Sequence, residues 1–214
     1  MATEVGPTVT GHGAPSAVAG ALAVVPWVLD RLARLVLALD ARAVDLVLAV
    51  RTPTLTKLMT SVTGLGSAVA AAVFLGLFYA AGWRRDLRIA APALALSGVV
   101  VAALMAFVQR PFPPQPVCVT AEAGLAPHSF PSGHAAAATV FALVARRSDD
   151  LPSLPVAGLA ALVAVSRVYL GTHFLSDTLF GVGVGVASVL VARAVVARRS
   201  GVSPTDRPAW LPGD

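Results

Sequence analysis

The chain has 214 residues, 57% hydrophobic and only 13% charged, and its mean hydropathy of +0.79 lies far from the balance of a water-soluble domain. The formal net charge of +5 rests almost wholly on arginine, Lys57 being the one lysine, and with no compact basic stripe interleaved with aromatics, nucleic acid is not an expected partner. A single cysteine, Cys118, excludes an internal disulfide and a cysteine-rich metal site.

Length allows one domain, with acyl chain as the solvent for most of its surface. Residues 1–16 are rich in Gly, Pro and Thr, lack the basic start of a secretory signal, and read as a disordered tail; residues 198–214 read the same way. Between them, 17–197 is expected to form an all-α integral membrane bundle of about six transmembrane helices. The first, 17–39, carries Asp30, Arg31 and Arg34 and is either a span with an amphipathic outer end or a shorter interfacial segment, so the count is five or six. Residues 40–64 place Arg42, Asp45, Arg51 and Lys57 at intervals suited to an interfacial amphipathic helix broken at Pro53. Segments 65–82, 89–108, 132–145, 154–170 and 175–196 are the remaining expected spans.

Arg84, Arg85 and Arg88, then Arg146 and Arg147, then Arg193, Arg198 and Arg199 fall on alternate connections, so the positive-inside rule assigns them to the cytoplasm. The connections 109–131 and 171–176 then face outward, and the unusual polar residues adjoin them. The expectation is a multi-pass protein of the cell membrane with its site on the outer face.

Three clusters carry the chemistry: Gln109-Arg110-Pro111, Pro131-Ser132-Gly133-His134, and Ser166-Arg167 with His173 and Asp177. Ionisable residues beside spanning helices are costly unless paired or functional. Arg110 and Arg167 supply planar forked donors for phosphate oxygens, and the backbone N–H groups of Ser132 and Gly133 open a helix whose positive dipole end attracts anions. His134 and His173 supply a nucleophile and a general acid, or two proton shuttles. Asp177, four residues after His173, shares a face with it if both are helical, where its carboxylate accepts from one ring nitrogen and sharpens the other.

On these residues the chain resembles the type 2 phosphatidic acid phosphatases, whose signature is Lys-x6-Arg-Pro, Pro-Ser-Gly-His and Ser-Arg-x5-His-x3-Asp. The second motif is intact at 131–134 and the third at Ser166, Arg167, His173 and Asp177; the first keeps Arg110-Pro111 but has Ala103 where the family has lysine. The resemblance spans about 60–197. It implies a metal-independent reaction without cofactor: His173 attacks phosphorus to give a phosphohistidine, Asp177 orients it, and His134 protonates the leaving oxygen and later activates water. Arg110, Arg167, Ser132 and the Gly133 amide would hold the equatorial oxygens. The implied partners are a lipid phosphate or polyprenyl diphosphate substrate and the membrane lipids around it; oligomeric state is not legible.

Other readings stand beside this one. A non-catalytic binder or transporter of lipid phosphates fits the missing lysine, whose charge Arg51 or Lys57 would otherwise have to supply. A zinc site from His128, His134, His173 and Asp177 leaves both arginines unexplained. A vanadate-dependent haloperoxidase shares the motifs but is expected in a larger, soluble chain. Gly181, Gly183 and Gly185 are assigned to close helix packing. If the gap in the first motif is a handicap, Ala103→Lys raises the rate of phosphate release from a lipid phosphate; an unchanged rate shows that another group already fills the role.

Overall fold

A computed structural model describes residues 17–117 and 128–199, with side chains from residue 24. The expected tail at 1–16, nearly all of that at 198–214, and Cys118 lie outside the described residues.

Seven α-helices and one 3-10 turn account for the described chain, without a strand: α1 (Ala17–Val50), α2 (Pro53–Thr63), the turn Gly64–Gly66, α3 (Ala68–Ala80), α4 (Arg84–Val108), α5 (Gly133–Ala145), α6 (Ser153–Tyr169) and α7 (Leu175–Arg199). The all-α expectation holds. The expected boundary at residue 40 does not, because nothing there breaks a helix and α1 continues to Val50. Pro53 opens a helix instead of interrupting one. It sits at the first turn of α2, where its missing N–H costs nothing, and Thr52 caps that turn by accepting from the Leu55 N–H at 3.3 Å.

Helices α4 and α7, 25 residues each, are long and apolar enough to cross a membrane, and Pro53–Gly66 with Ala68–Ala80, bent by 55°, is either a broken span or a re-entrant loop. Apolar helices α5 and α6 have only 13 and 17 residues, below the roughly 20 that a straight span needs. Among the described residues, two or three spans are therefore evident where the sequence suggested about six. The short helices have a physical cause: α5 is confined between the loop at Ser132 and Arg146-Arg147, and α6 between Pro152 and Gly171.

Residues 17–38 of α1 form one unit and residues 39–199 another. In the first, the side chains from Val24 onward are exposed, with Arg31 over the Trp27 ring at 5.4 Å and an Asp30–Arg34 ion pair one turn apart. The core of the second joins α3, α4, α5 and α7 through Phe78, Ala90, Ala93, Val140, Val144, Val189 and Ala192. Small residues set the helix spacing, as expected where lipid gives no hydrophobic drive between helices. A Cβ on Gly181 would lie 2.3 Å from the Ser132 carbonyl oxygen, and one on Gly185 would lie 2.6 Å from that of Ala136. Gly183 faces open space. At the end of the bundle where α4 begins, Asp86 accepts from the Ser148 hydroxyl at 2.6 Å and Arg193 donates to the Leu143 carbonyl at 2.7 Å.

Close contact of α7 with the start of α5 gives the first structural prediction. Gly181→Ala lowers stability by about 1–3 kcal/mol because a backbone carbonyl cannot retreat, whereas Gly183→Ala leaves it unchanged or raises it by up to about 1 kcal/mol; thermal unfolding of the detergent-purified variants measures both.

Candidate active site

The arginine of the first motif owes its direction to a helix end. Helix α4 stops at Val108, and Gln109 adopts the left-handed conformation (φ 50°), a position that more often selects Gly or Asn. Its N–H still bonds the Met105 carbonyl at 3.3 Å. With Pro111 unable to continue a helix, Arg110 leaves the α4 axis and reaches α1 and α7. Its Nη1 donates to the Ser176 hydroxyl at 2.8 Å and to Oδ1 of Asp177, and its Nη2 donates to Oδ2 of Asp40 at 2.7 Å. The Phe174 ring lies 3.9 Å below the guanidinium carbon, within cation–π range.

In the second motif, Ser132 caps α5. Its hydroxyl accepts from the Ala135 N–H at 3.4 Å, while its own N–H donates to the Asp177 carbonyl at 3.1 Å, fastening the start of α5 to the start of α7. Gly133 and His134 occupy the first helical turn, whose N–H groups have no acceptor within the helix. The 3-10 turn packs on His134 from the other side. A Cβ on Gly66 would lie 3.0 Å from His134 Cβ and 2.7 Å from Val163 Cγ1.

The third motif is held by a helix C-terminus. Gly171 (φ +66°) follows Leu170, the C-cap of α6, and the N–H groups of Gly171 and Thr172 return to the carbonyls of Val168 and Arg167 at 3.0 and 3.2 Å, the pattern of a Schellman cap. The Arg167 carbonyl also receives the His173 N–H at 3.3 Å and the Thr172 hydroxyl at 3.1 Å. One carbonyl therefore fixes the backbone of His173. The Arg167 side chain is buried and donates from Nη1 to the Thr63 hydroxyl at 2.8 Å.

His173 and Asp177 are close in sequence without being bonded to each other. Helix α7 begins at Leu175, so His173 stands in the preceding turn and the four-residue helical alignment does not apply. The His173 Nδ1 meets the Ser129 carbonyl, which requires a proton on Nδ1 and leaves Nε2 with the lone pair. Asp177 reaches back to the Phe174 N–H at 2.8 Å as a helix cap. The orienting acceptor that the sequence suggested in Asp177 is thus a backbone carbonyl. Ser129 itself is fixed by donating to the carbonyls of Arg110 (2.7 Å) and Pro111 (3.0 Å).

Of the groups weighed against the missing lysine, Ala103 and Lys57 are exposed. Arg51 donates to the carbonyls of Gln115 and Tyr169, both at 2.9 Å, and so ties the end of α6 to the 109–117 connection. His128 is half-buried next to Ser129. Among the described residues no group of three or more His, Cys, Asp or Glu side chains is arranged to hold a metal ion. Four residues that the motifs did not mark join the site: Asp40, Thr63, Ser129 and Ser176. Asp40 had a visible signal, an acid in an apolar run; Thr63, Ser129 and Ser176 had none.

His173 titrates far below the ordinary histidine range, pushed down to about 3 chiefly by burial and then by the Arg167 charge, with the Ser129 carbonyl opposing and His134 adding to the depression. Thr63, which accepts from Arg167, and Gly66, which packs on His134, adjoin in one turn, and the Arg167 carbonyl receives the His173 N–H, so Arg167 and both histidines share one neighbourhood.

With fold and site defined, the chain can be placed. Residues 86–200 match the PAP2 superfamily, more than half of the chain, and the protein belongs to that family. Its fold is similar to a transmembrane PAP2-type phosphatidylglycerolphosphate phosphatase from Bacillus subtilis (TM-score 0.64, 23% identity, 76% of this chain and 87% of that one). It is also similar to Aquifex aeolicus LpxE (TM-score 0.59, 25% identity, 71% and 93%). Two curated relatives, decaprenylphosphoryl-5-phosphoribose phosphatases from two strains of Mycobacterium tuberculosis, are 33% identical over 102 residues, 48% of this chain; the chain spans 56% of their length.

Depression of the His173 pKa has a sign that can be tested. The unfolded chain takes up a proton near pH 6.5 that the folded ring refuses, so this contribution to stability is complete above about 6.5 and is lost as pH falls toward 3. At pH 5 the loss is about 2 kcal/mol. Thermal midpoints recorded between pH 7 and 5 fall for the wild type and fall less steeply for His173→Asn.

Proposed function

We propose that the protein is a membrane phosphatase that hydrolyses a lipid phosphate or polyprenyl diphosphate through a phosphohistidine, with its site on the outer face. The observation that carries this reading is the meeting of Arg167, His134 and a neutral His173 whose Nδ1 faces a fixed carbonyl. His173 Nε2 forms a bond to phosphorus as the bond to the leaving oxygen breaks, and the Ser129 carbonyl accepts from the imidazole Nδ1–H as positive charge develops on the ring. His134, whose imidazolium is favoured by the arriving phosphate charge, gives its proton to the leaving oxygen. It then removes a proton from the water that cleaves the N–P bond. Arg167, Arg110, Ser132 and the Gly133 amide hold the phosphoryl oxygens, so the protein contributes position and charge to a reaction with little other covalent demand.

Supporting a lipid substrate are the apolar helices and the relatives' names, which describe phosphatases of decaprenylphosphoryl-5-phosphoribose and of phosphatidylglycerolphosphate. The decaprenyl relative favours a long prenyl chain as anchor. An outward site is supported by the arginines collected at the other helix ends. A second reading, a lipid-phosphate binder without turnover, is favoured by Ala103 and by the commitment of Arg110 to two carboxylates.

Detergent-purified protein assayed with phosphatidate, phosphatidylglycerolphosphate and polyprenyl diphosphates separates the two. Phosphate release that survives EDTA and drops at least 10³-fold in His173→Ala supports the enzyme, whereas saturable binding without release establishes the binder.

A further inference from the structure

Asp40 belongs to none of the three motifs and lies on α1, far from them in sequence, yet among the described residues it is one of the most completely buried charged groups, 2% exposed. Its two oxygens accept three hydrogen bonds: Oδ1 from the Ser176 N–H at 2.9 Å, Oδ2 from the Ser176 hydroxyl at 2.6 Å and from Arg110 Nη2 at 2.7 Å. Ser176 stands in the first turn of α7, so Asp40 satisfies a backbone N–H that the helix leaves open and adds negative charge at its positive end. Asp177 does the same at Phe174. The two carboxylates grip opposite terminal nitrogens of one guanidinium, which rests on Phe174.

We infer that Asp40 is a positioning residue for Arg110, setting the direction in which its remaining N–H groups meet the phosphoryl oxygens. The inference rests on the reading of Arg110 as a phosphate donor. A guanidinium has five N–H groups in a rigid fork, so fixing Nη1 through Asp177 and Nη2 through Asp40 fixes the rest. A fork held by one carboxylate alone turns about that contact and follows the phosphate in the ground state. Held by two, it is preorganised for the geometry in which phosphoryl charge is redistributed. Asp40 also sets the charge balance. With it, Arg110 is held between two carboxylates; without it, one remains.

The two roles act in opposite directions on binding and turnover, and a purely structural contact does not. The test measures kcat and KM for a lipid phosphate, and the thermal shift produced by inorganic phosphate, in wild type, Asp40→Asn, Asp40→Glu and the exposed control Asp45→Asn. Asp40→Asn keeps the shape and loses the charge: kcat falls about tenfold while inorganic phosphate binds about threefold tighter or more, since a nearby anion has gone. Asp40→Glu keeps the charge and misplaces it, giving an intermediate kcat with phosphate affinity within about twofold of wild type. Asp45→Asn matches wild type.

Unchanged constants in Asp40→Asn, or a fall in phosphate affinity alongside kcat in the folded variant, overturn the inference. If Asp40→Asn does not fold, Asp40→Glu decides, and a wild-type kcat in it overturns the inference. A wild type that binds inorganic phosphate but releases none from any lipid refutes the enzymatic reading alone; the phosphate arm then still decides the case of Asp40, tighter binding in Asp40→Asn supporting it and equal or weaker binding overturning it. A wild type that neither releases nor binds phosphate refutes both.

Discussion

A guanidinium inside a helical bundle must be surrounded by acceptors, because an unpaired charge there costs several kcal/mol. The arrangement of this site follows from how that requirement is met for Arg110. Its acceptors come from Asp40 on α1 and from Ser176 and Asp177 on α7. Three elements spread over more than a hundred residues of chain are thereby brought to one point. The same two carboxylates also close the N-terminus of α7, so the placing of the Arg110 guanidinium and the helix end that follows the third-motif histidine are not independent.

Around that point, backbone groups do much of the positioning usually credited to side chains. The Arg167 carbonyl holds His173 in place, the Ser129 carbonyl fixes its tautomer, and the Asp177 carbonyl receives the Ser132 N–H. Backbone acceptors suit a low-dielectric setting, since they direct a ring without adding a full charge that would itself need a partner. Asp177 is then available to neutralise Arg110. A carboxylate shared between His173 and Arg110 would have left one of them poorly served.

Helix length and helix packing pull against each other in this protein. Short helices α5 and α6 end where the site begins, so their termini supply unsatisfied N–H and C=O groups to it. The longer α4 and α7 carry the hydrophobic thickness. Glycines at 181 and 185 let α7 lie directly on the backbone of α5, which brings Ser132 within hydrogen-bond distance of Asp177. The distribution of glycine along α7 is thus tied to the geometry at its start, two turns away.

The amino-acid sequence by itself determined that the chain is helical and apolar, where α3 to α7 run, and which family its motifs resemble, because apolar run length, breakers and motif spacing are local properties. It also marked Gly181, Gly183 and Gly185 as packing sites, of which Gly181 and Gly185 lie against α5 and Gly183 faces open space. It misplaced the end of α1, since charged residues at 42 and 45 suggested a new amphipathic element where the backbone had no reason to stop. Helix length and composition confirm two or three of the roughly six spans it suggested. Tertiary structure alone decided the partners. Asp40, Thr63 and Ser129 are recruited by closeness across the bundle, and His173 turns to a carbonyl instead of Asp177 because the first turn of α7 starts two residues too late for a helical pair. Pairing of buried polar groups is settled by which of them meet when the helices pack, and spacing along the chain carries no record of that.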